Sequence, residues 1–378
     1  MYRRLCPKHI WVILCALLIW PSYAYAENGG QYIRLSEYLL LHPEQAQKMT
    51  QFSELVRSPA RPLKSPNKKA VKLAIIYPGE QTSSYWRKSV LTIKKRLAEL
   101  NINYEVKTYF SRPGIDLALQ SQQLNSAIQW NPDYLIFTLD ALRHQAMIER
   151  ILLRGSPKLI LQNITTPLQR WSELKPFLYT GFDHEYGSTL LAKEMLKNKQ
   201  QGDYSMLYFA PGYVSQMRGD TFIHHASNHP QLNKVSSYYT KGDRSIAYKA
   251  TLNTLKKNPN INMLFACSTD IALGAADALE EMGKLEQVVL NGWGGGENEI
   301  KALGDNLIDL TVMRMNDDSS VAIAEAVKLN LTQQTNSVPD IYSGDIVLID
   351  REVDKHTIRK LEERAFRYSS NDKKHETD

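Results

Sequence analysis

From Val71 onward the chain repeats one unit: a short apolar run, a loop, then a stretch with helical spacing. Val71 to Tyr77 is the first such run, and Trp86, Val90, Ile93, Leu97 and Leu100 then recur at helical intervals. Further candidate strands fall at about 103–109, 134–138, 158–162, 204–209, 234–239, 262–266, 287–291, 308–314 and 341–349. Candidate helices include 184–197, 246–257, 269–282 and 318–330. Apolar strands alternating with helices of this length argue for βαβ units and parallel sheets. About ten strands fit two sheets of five or six better than one sheet of ten. The expected fold class is therefore α/β, with two doubly wound parallel-sheet lobes.

The ends of the chain belong to neither sheet. Arg3, Arg4 and Lys8 precede an apolar run from Ile10 to Trp20; Pro21 breaks it, and Ala24-Tyr25-Ala26 supplies small residues. That is the pattern of a secretory signal peptide over 1–26, too short for a membrane span of about 20 residues. A lipid anchor at Cys15 is disfavoured by the large Leu14 before it. Cleavage removes Cys6 and Cys15 and leaves Cys267 alone, so no intramolecular disulfide is expected in an exported chain. It also halves the formal charge of +6, and the remainder argues for no polyanion and no nucleic acid. Residues 27–70 read as an N-terminal arm, helical to about 56. From Arg57 to Ala70 it is an extended basic stretch with Pro59, Pro62 and Pro66. Residues 369–378 read as a disordered polar tail.

Open parallel sheets bind ligands beyond the carboxyl ends of their strands. Polar and aromatic side chains gather there. Gln81, Ser83 and Trp86 follow the first strand, Thr138 and Asp140 the third, and Asn163, Thr165 and Thr166 the fourth. Arg218 follows the strand ending at Phe209, Thr269 and Asp270 follow Cys267, Trp293 follows Leu290, and Arg314 precedes Asp317 and Asp318. Singly, each has a plainer use: the aspartates as helix caps, Trp86 as core, the arginines as surface ion-pair partners. Together they suit a small polyhydroxylated ligand, whose ring packs on aromatic faces while amides and hydroxyls orient it. Two arginines in one pocket repel unless an anion lies between them.

Other signals are weaker. Gly292-Trp293-Gly294-Gly295-Gly296 reads as a turn bringing backbone close to a ligand or another segment. It is not a dinucleotide fingerprint, and the chain has no phosphate-loop, GxSxG or HExxH pattern. His224 and His225 are adjacent and cannot face one metal from a helix. Asn163-Ile164-Thr165 matches a glycosylation acceptor, but a strand end inside a cleft favours a ligand role. Cys267 reads as a buried, inert thiol. No nucleophile–base pair stands out, so an enzyme is not expected.

Several longer strings carry a resemblance. They are Tyr77-Pro78-Gly79-Glu80-Gln81-Thr82-Ser83-Ser84-Tyr85-Trp86, Tyr134-Leu135-Ile136-Phe137-Thr138-Leu139-Asp140 and Leu161-Gln162-Asn163-Ile164-Thr165-Thr166-Pro167. With them stand Arg218-Gly219-Asp220-Thr221-Phe222-Ile223-His224, Ala266-Cys267-Ser268-Thr269-Asp270, Asn291 to Gly296, and Val312 to Asp318. Over roughly 30–370 the chain resembles the LuxP-type periplasmic autoinducer-2 receptors, a branch of the sugar-binding periplasmic binding proteins of type I. The turn Lys284–Gln287 is slightly longer than the family pattern and touches no pocket position.

The resemblance implies a periplasmic receptor whose ligand is autoinducer-2 as a furanosyl borate diester, with no cofactor, no metal and no direct membrane anchor. It implies that Arg218 and Arg314 neutralise the borate and that Asn163 bonds the borate region. Gln81, Ser83, Thr138, Thr269 and Asp270 would hold ring and hydroxyl oxygens. Trp86 and Trp293 would form walls and offer indole N–H groups. It implies a partner, the periplasmic domain of the hybrid sensor kinase LuxQ, and quorum-sensing signal transduction through that two-component system. It also implies three chain crossovers, near Asp183, Trp293 and Asn336. The first lobe would then take 71–182 and 294–334, and the second 183–293 and 335–368, placing the two arginines on opposite lobes. The rival reading is a sugar-binding protein of an ABC importer, which needs no paired arginines for a neutral sugar. A regulator of the LacI type would need a DNA-binding helix-turn-helix where the export signal and arm stand.

Overall fold

A computed structural model describes residues 32–139, 141–171, 173–197 and 201–370. The expected signal peptide, the start of the arm and residues 371–378 lie outside the described residues. Among the described residues the first sheet is built from β1 (Val71–Tyr77), β2 (Tyr104–Phe110), β3 (Tyr134–Thr138), β4 (Lys158–Gln162) and β5 (Leu178–Phe182). The second is built from β6 (Gly202–Tyr208), β7 (Leu232–Tyr239), β8 (Met263–Ala266) and β9 (Val289–Leu290). Three strands complete the set: β10 (Leu310–Arg314), β11 (Ile341–Gly344) and β12 (Ile346–Asp350).

The first sheet runs β11-β5-β4-β3-β1-β2, all parallel. The interior β1 is buried along nearly its whole length, as a strand covered on both faces must be, whereas β2 and β7 at the edges are only partly covered. The second sheet runs β7-β6-β8-β9 and continues through bridges Asn291–Leu310 and Gly294–Met313 into β10, which pairs antiparallel with β12. Two lobes of parallel sheet flanked by helices therefore match the expected α/β architecture.

The division of the last third differs from the expectation. The bridge from Gly294 to Met313 ties 294–314 to the second sheet, so the chain does not cross near Trp293. It crosses at Met315, after β10. Ile341 to Gly344 then pairs with Tyr179 to Phe182 in the first sheet, and the final crossing falls at Asp345, not near Asn336. The single strand expected over 341–349 is thus two strands in two lobes. Arg314, last residue of β10, belongs to the second lobe with Arg218, and the expectation that the arginines face each other from opposite lobes is corrected. The helix Asn316–Leu331 packs in the first lobe against Tyr85–Glu99.

The helical part of the arm is two helices, Leu35–Leu41 and Pro43–Arg57. Pro43 takes the first helical position, where its missing N–H costs nothing. Phe52 and Val56 are buried, and Phe52 meets Tyr342 edge-on with ring centroids 5.8 Å apart. Arg96, itself buried, pairs with Glu325 at 2.6 Å and donates to the Ser58 carbonyl at 3.1 Å, fastening the arm to the first lobe.

Asp317 and Asp318 are not helix caps. The Asp317 carboxylate accepts from Thr92 Oγ1 (2.9 Å), the Tyr368 N–H (2.7 Å) and the Ser369 hydroxyl (2.7 Å). Ser369 is consequently buried, against the expectation that the tail begins there. Asp318 lies 3.0 Å from Arg367, yet burial pushes its carboxyl up to about 6, against the opposing pull of Arg367 and Arg364. The folded form then binds the proton more tightly than the unfolded chain. Stability from this site is full below about pH 4 and is lost as pH rises through about 6, worth on the order of 3 kcal/mol. Asp318→Asn, which cannot ionise, should gain in melting temperature relative to the parent between pH 4 and pH 7. A constant difference across that range would show that Asp318 titrates normally.

Candidate functional site

In each sheet the strand order reverses beside one strand, β1 in the first and β6 in the second, and a crevice opens beyond the carboxyl ends. The lobes meet around a small cavity. Gln81, Ser83, Tyr85, Trp86 and Asn163 line it from the first lobe. Phe209, Val214, Arg218, Ser268, Thr269, Asp270, Trp293 and Arg314 line it from the second. The structure thus brings together every expected site residue except Thr138. That residue ends β3, is fully buried, and does not reach the cavity wall. Asp140 lies outside the described residues.

The arginines dominate the electrostatics. Arg314 is buried, with its guanidinium carbon 4.1 Å from the Tyr85 ring centroid and 5.7 Å from those of Phe182 and Trp293. No carboxylate among the described residues lies within ion-pair distance of it, and its Nε finds no acceptor. Burial pushes its guanidinium below its usual range, partly offset by Tyr85 and Glu299. Arg218, in a single wide turn over Gln216–Asp220, lies 3.5 Å from the Trp293 ring centroid and donates to the Cys267 carbonyl at 2.7 Å. Cys267 is itself buried, and burial pushes its thiol up to about 12, as an inert thiol requires.

Asp270 faces across the cleft, accepting from the backbone N–H groups of Thr82 (3.0 Å) and Ser83 (3.3 Å). It joins the lobes and does not cap its helix. Lys88 of the first lobe adds a 2.6 Å pair to Glu297 of the second. The indole N–H of Trp293 donates to Ser188 at 2.9 Å, so its expected role as a donor to a ligand is corrected to that of a wall. Asn163 adopts φ 68°, and its side-chain oxygen accepts from His184 Nε2 at 3.2 Å, which leaves the amide donors for the cavity. Burial first, then Arg218 and Arg314, push His184 well below its usual range, so it adds no third positive charge.

Besides the apolar Phe209 and Val214 in the wall, five polar contributors escaped the sequence reading. Tyr85 and Ser268 line the cavity, and the Ser268 hydroxyl is buried without a partner among the described residues. His184 and Gln162 sit just behind the wall, Gln162 accepting from Tyr77 and donating to Ser89 at 3.1 Å and Ser319 at 3.2 Å. Glu299, fully buried, accepts from the Trp293 N–H (3.0 Å), the Gly295 N–H (2.7 Å) and the Thr311 hydroxyl. It shapes the glycine turn. Gly295 has φ 63°, and a Cβ there would lie 2.3 Å from Met313 Cα, so the turn does pass close to another segment. Among the described residues no group of three His, Cys, Asp or Glu could hold a metal, and His225 bonds Thr189 at 3.1 Å instead. None of the described helices is long and apolar enough to cross a membrane.

Solved structures share this architecture. A periplasmic solute-binding protein of an ABC transporter from Actinobacillus succinogenes, with bound D-allose, matches at 21% identity and a TM-score of 0.62, over 75% of this chain and 98% of its own. An ABC transporter solute-binding protein from Bacillus halodurans with bound myo-inositol matches at 19% and 0.64, over 79% and 99%. One from Agrobacterium vitis with bound D-fucose matches at 15% and 0.69, over 76% and 98%. Residues 73–333, most of both lobes and all of the cavity lining, match the periplasmic binding protein domain, and the chain belongs to that family.

Proposed function

We propose that the chain is a periplasmic receptor that binds a small, polyhydroxylated, anionic ring between its lobes, and that this ring is the furanosyl borate diester form of autoinducer-2. One observation carries the reading. Arg314 is a buried guanidinium without a carboxylate partner, beside Arg218, in a cavity otherwise furnished for a sugar-like ring. A buried charge left unpaired costs several kcal/mol, and a bound anion removes that cost. Asn163, Ser268 and Thr269 would bond the polar rim of the ring, Trp86 and Trp293 its faces. The ligand touches both lobes, so its preference for the closed form shifts the population toward it. The chain acts as a binding protein without a cofactor, and the state of its lobes is read by the periplasmic domain of a LuxQ-type hybrid kinase.

A second reading is a sugar-binding protein of an ABC importer. The sugars and inositol held by the structural neighbours favour it. The test is protein purified from cells that make autoinducer-2. Elemental analysis should find boron in stoichiometric amount, released on unfolding. A boron-free protein yielding a neutral sugar would replace this reading with the second.

A further inference from the structure

The N-terminal arm lies ahead of the stretch that matches the family, which begins at residue 73, and the structural neighbours are covered almost completely while matching about three quarters of this chain. The arm is therefore an addition to the lobes. Part of it fastens to the first lobe through Arg96, but its first helix does something else. Glu37 and Leu41 of the helix Leu35–Leu41, with Tyr32, Ile33 and Arg34 ahead of it, form one wall of an open groove whose opposite wall belongs to the second lobe. Arg34 reaches Glu185 of that lobe at 3.3 Å. Leu41 in this wall is 63% exposed, its chain neighbour Leu40 is 82% exposed, and Met217 adds apolar surface inside the groove. Large aliphatic side chains placed side by side in solvent, on an added element, mark an interaction surface.

The charges in the groove indicate what fits. Glu37, Glu185 and Asp220 line it against Arg34 alone, with His224 and His225 beside them. Burial first, then His224 and Lys193, push His225 below its usual range, so it is neutral in mildly alkaline and neutral solution. The groove carries an acidic excess around an apolar centre. We infer that it docks a segment of a protein partner that presents Lys or Arg beside an apolar anchor. Because its two walls belong to different lobes, a partner seated there holds them in one relative position. Ligand-driven change in that position would alter the fit, so partner and ligand affinities are linked. The inference rests on the kinase reading above, which supplies the partner tested.

The test titrates the full chain with the purified periplasmic domain of the LuxQ-type kinase. Leu41→Glu and Glu37→Arg should each weaken that complex by about tenfold or more while leaving ligand affinity unchanged, which shows that both variants fold. A photo-reactive residue in place of Leu40 should cross-link to a kinase segment containing Lys or Arg. Wild-type affinity in both variants would overturn the surface, as would cross-linking to a second copy or to residues 1–31 of the same chain. If the unaltered chain fails to bind the kinase domain, the docking surface and the kinase reading fall together. The boron measurement decides the ligand separately.

Discussion

Arg314→Met should bind the borated signal more weakly by about 2–5 kcal/mol and, without ligand, should melt at a higher temperature than the parent. Both signs come from one cause. In the free protein Arg314 is enclosed by Tyr85, Phe182 and Trp293 and has no carboxylate to balance it. The ring faces recover part of the desolvation cost, but cation–π contacts are worth about 2 kcal/mol when desolvated, less than the burial of a charge. An apolar side chain of similar length removes the penalty and keeps the packing. With an anion in the cavity the balance reverses, since the guanidinium gains its missing counter-charge. Arg314→Lys should fall between the two, because ammonium keeps the charge and loses the flat contact with Tyr85. Calorimetric titration and thermal melts of the free proteins measure the two effects. Unchanged affinity would remove Arg314 from the site. A lower free melting temperature would show that ring contacts outweigh desolvation.

Most of the site was legible because strand ends are legible. Short apolar runs mark buried parallel strands, and the residues just past them must lie at the crevice whatever the details of packing. Gln81, Ser83, Trp86, Asn163, Arg218, Thr269, Asp270, Trp293 and Arg314 all come from that rule. Thr138 fails it although β3 ends level with β4, where Thr138 pairs with Gln162; its side chain stays in the core. β5 was missed for a local reason. Gly181 interrupts its apolar run, and it is there because a Cβ would lie 2.9 Å from the Ile164 backbone nitrogen. The crossings were misplaced because nothing in the composition near Met315 or Asp345 marks a hinge; only pairing does. Asp345 separates two strands that hydrogen-bond in different sheets. The arginine that carries the functional reading was found, and its lobe was not.

Glu299 is the least legible contributor, and its removal should have the second large effect. In sequence it is one acid among several at the start of the Glu297–Gly304 helix, an ordinary solvated turn by composition. A hint exists in its position three residues after Gly296, where an acid can reach back to N–H groups ahead of a helix. In the structure it is fully buried and gathers the N–H groups of Trp293 and Gly295 with the Thr311 hydroxyl. Glu299→Ala leaves two buried N–H groups and a hydroxyl without an acceptor, each at about 1–3 kcal/mol, so a loss of about 3 kcal/mol or more is expected. The turn would relax, and Trp293 would shift from its stack with Arg218. Ligand affinity should therefore fall although Glu299 touches no ligand atom. Glu299→Gln tests the geometry apart from the charge. It keeps one acceptor oxygen, enough for one N–H but not for both, and should retain part of the stability. Denaturant unfolding and ligand titration on the same samples separate the outcomes. Lost stability with parental affinity would show that the turn holds its shape through the Gly294–Met313 bridge alone. Loss of both would make Glu299 the residue on which the second lobe's half of the cavity is built.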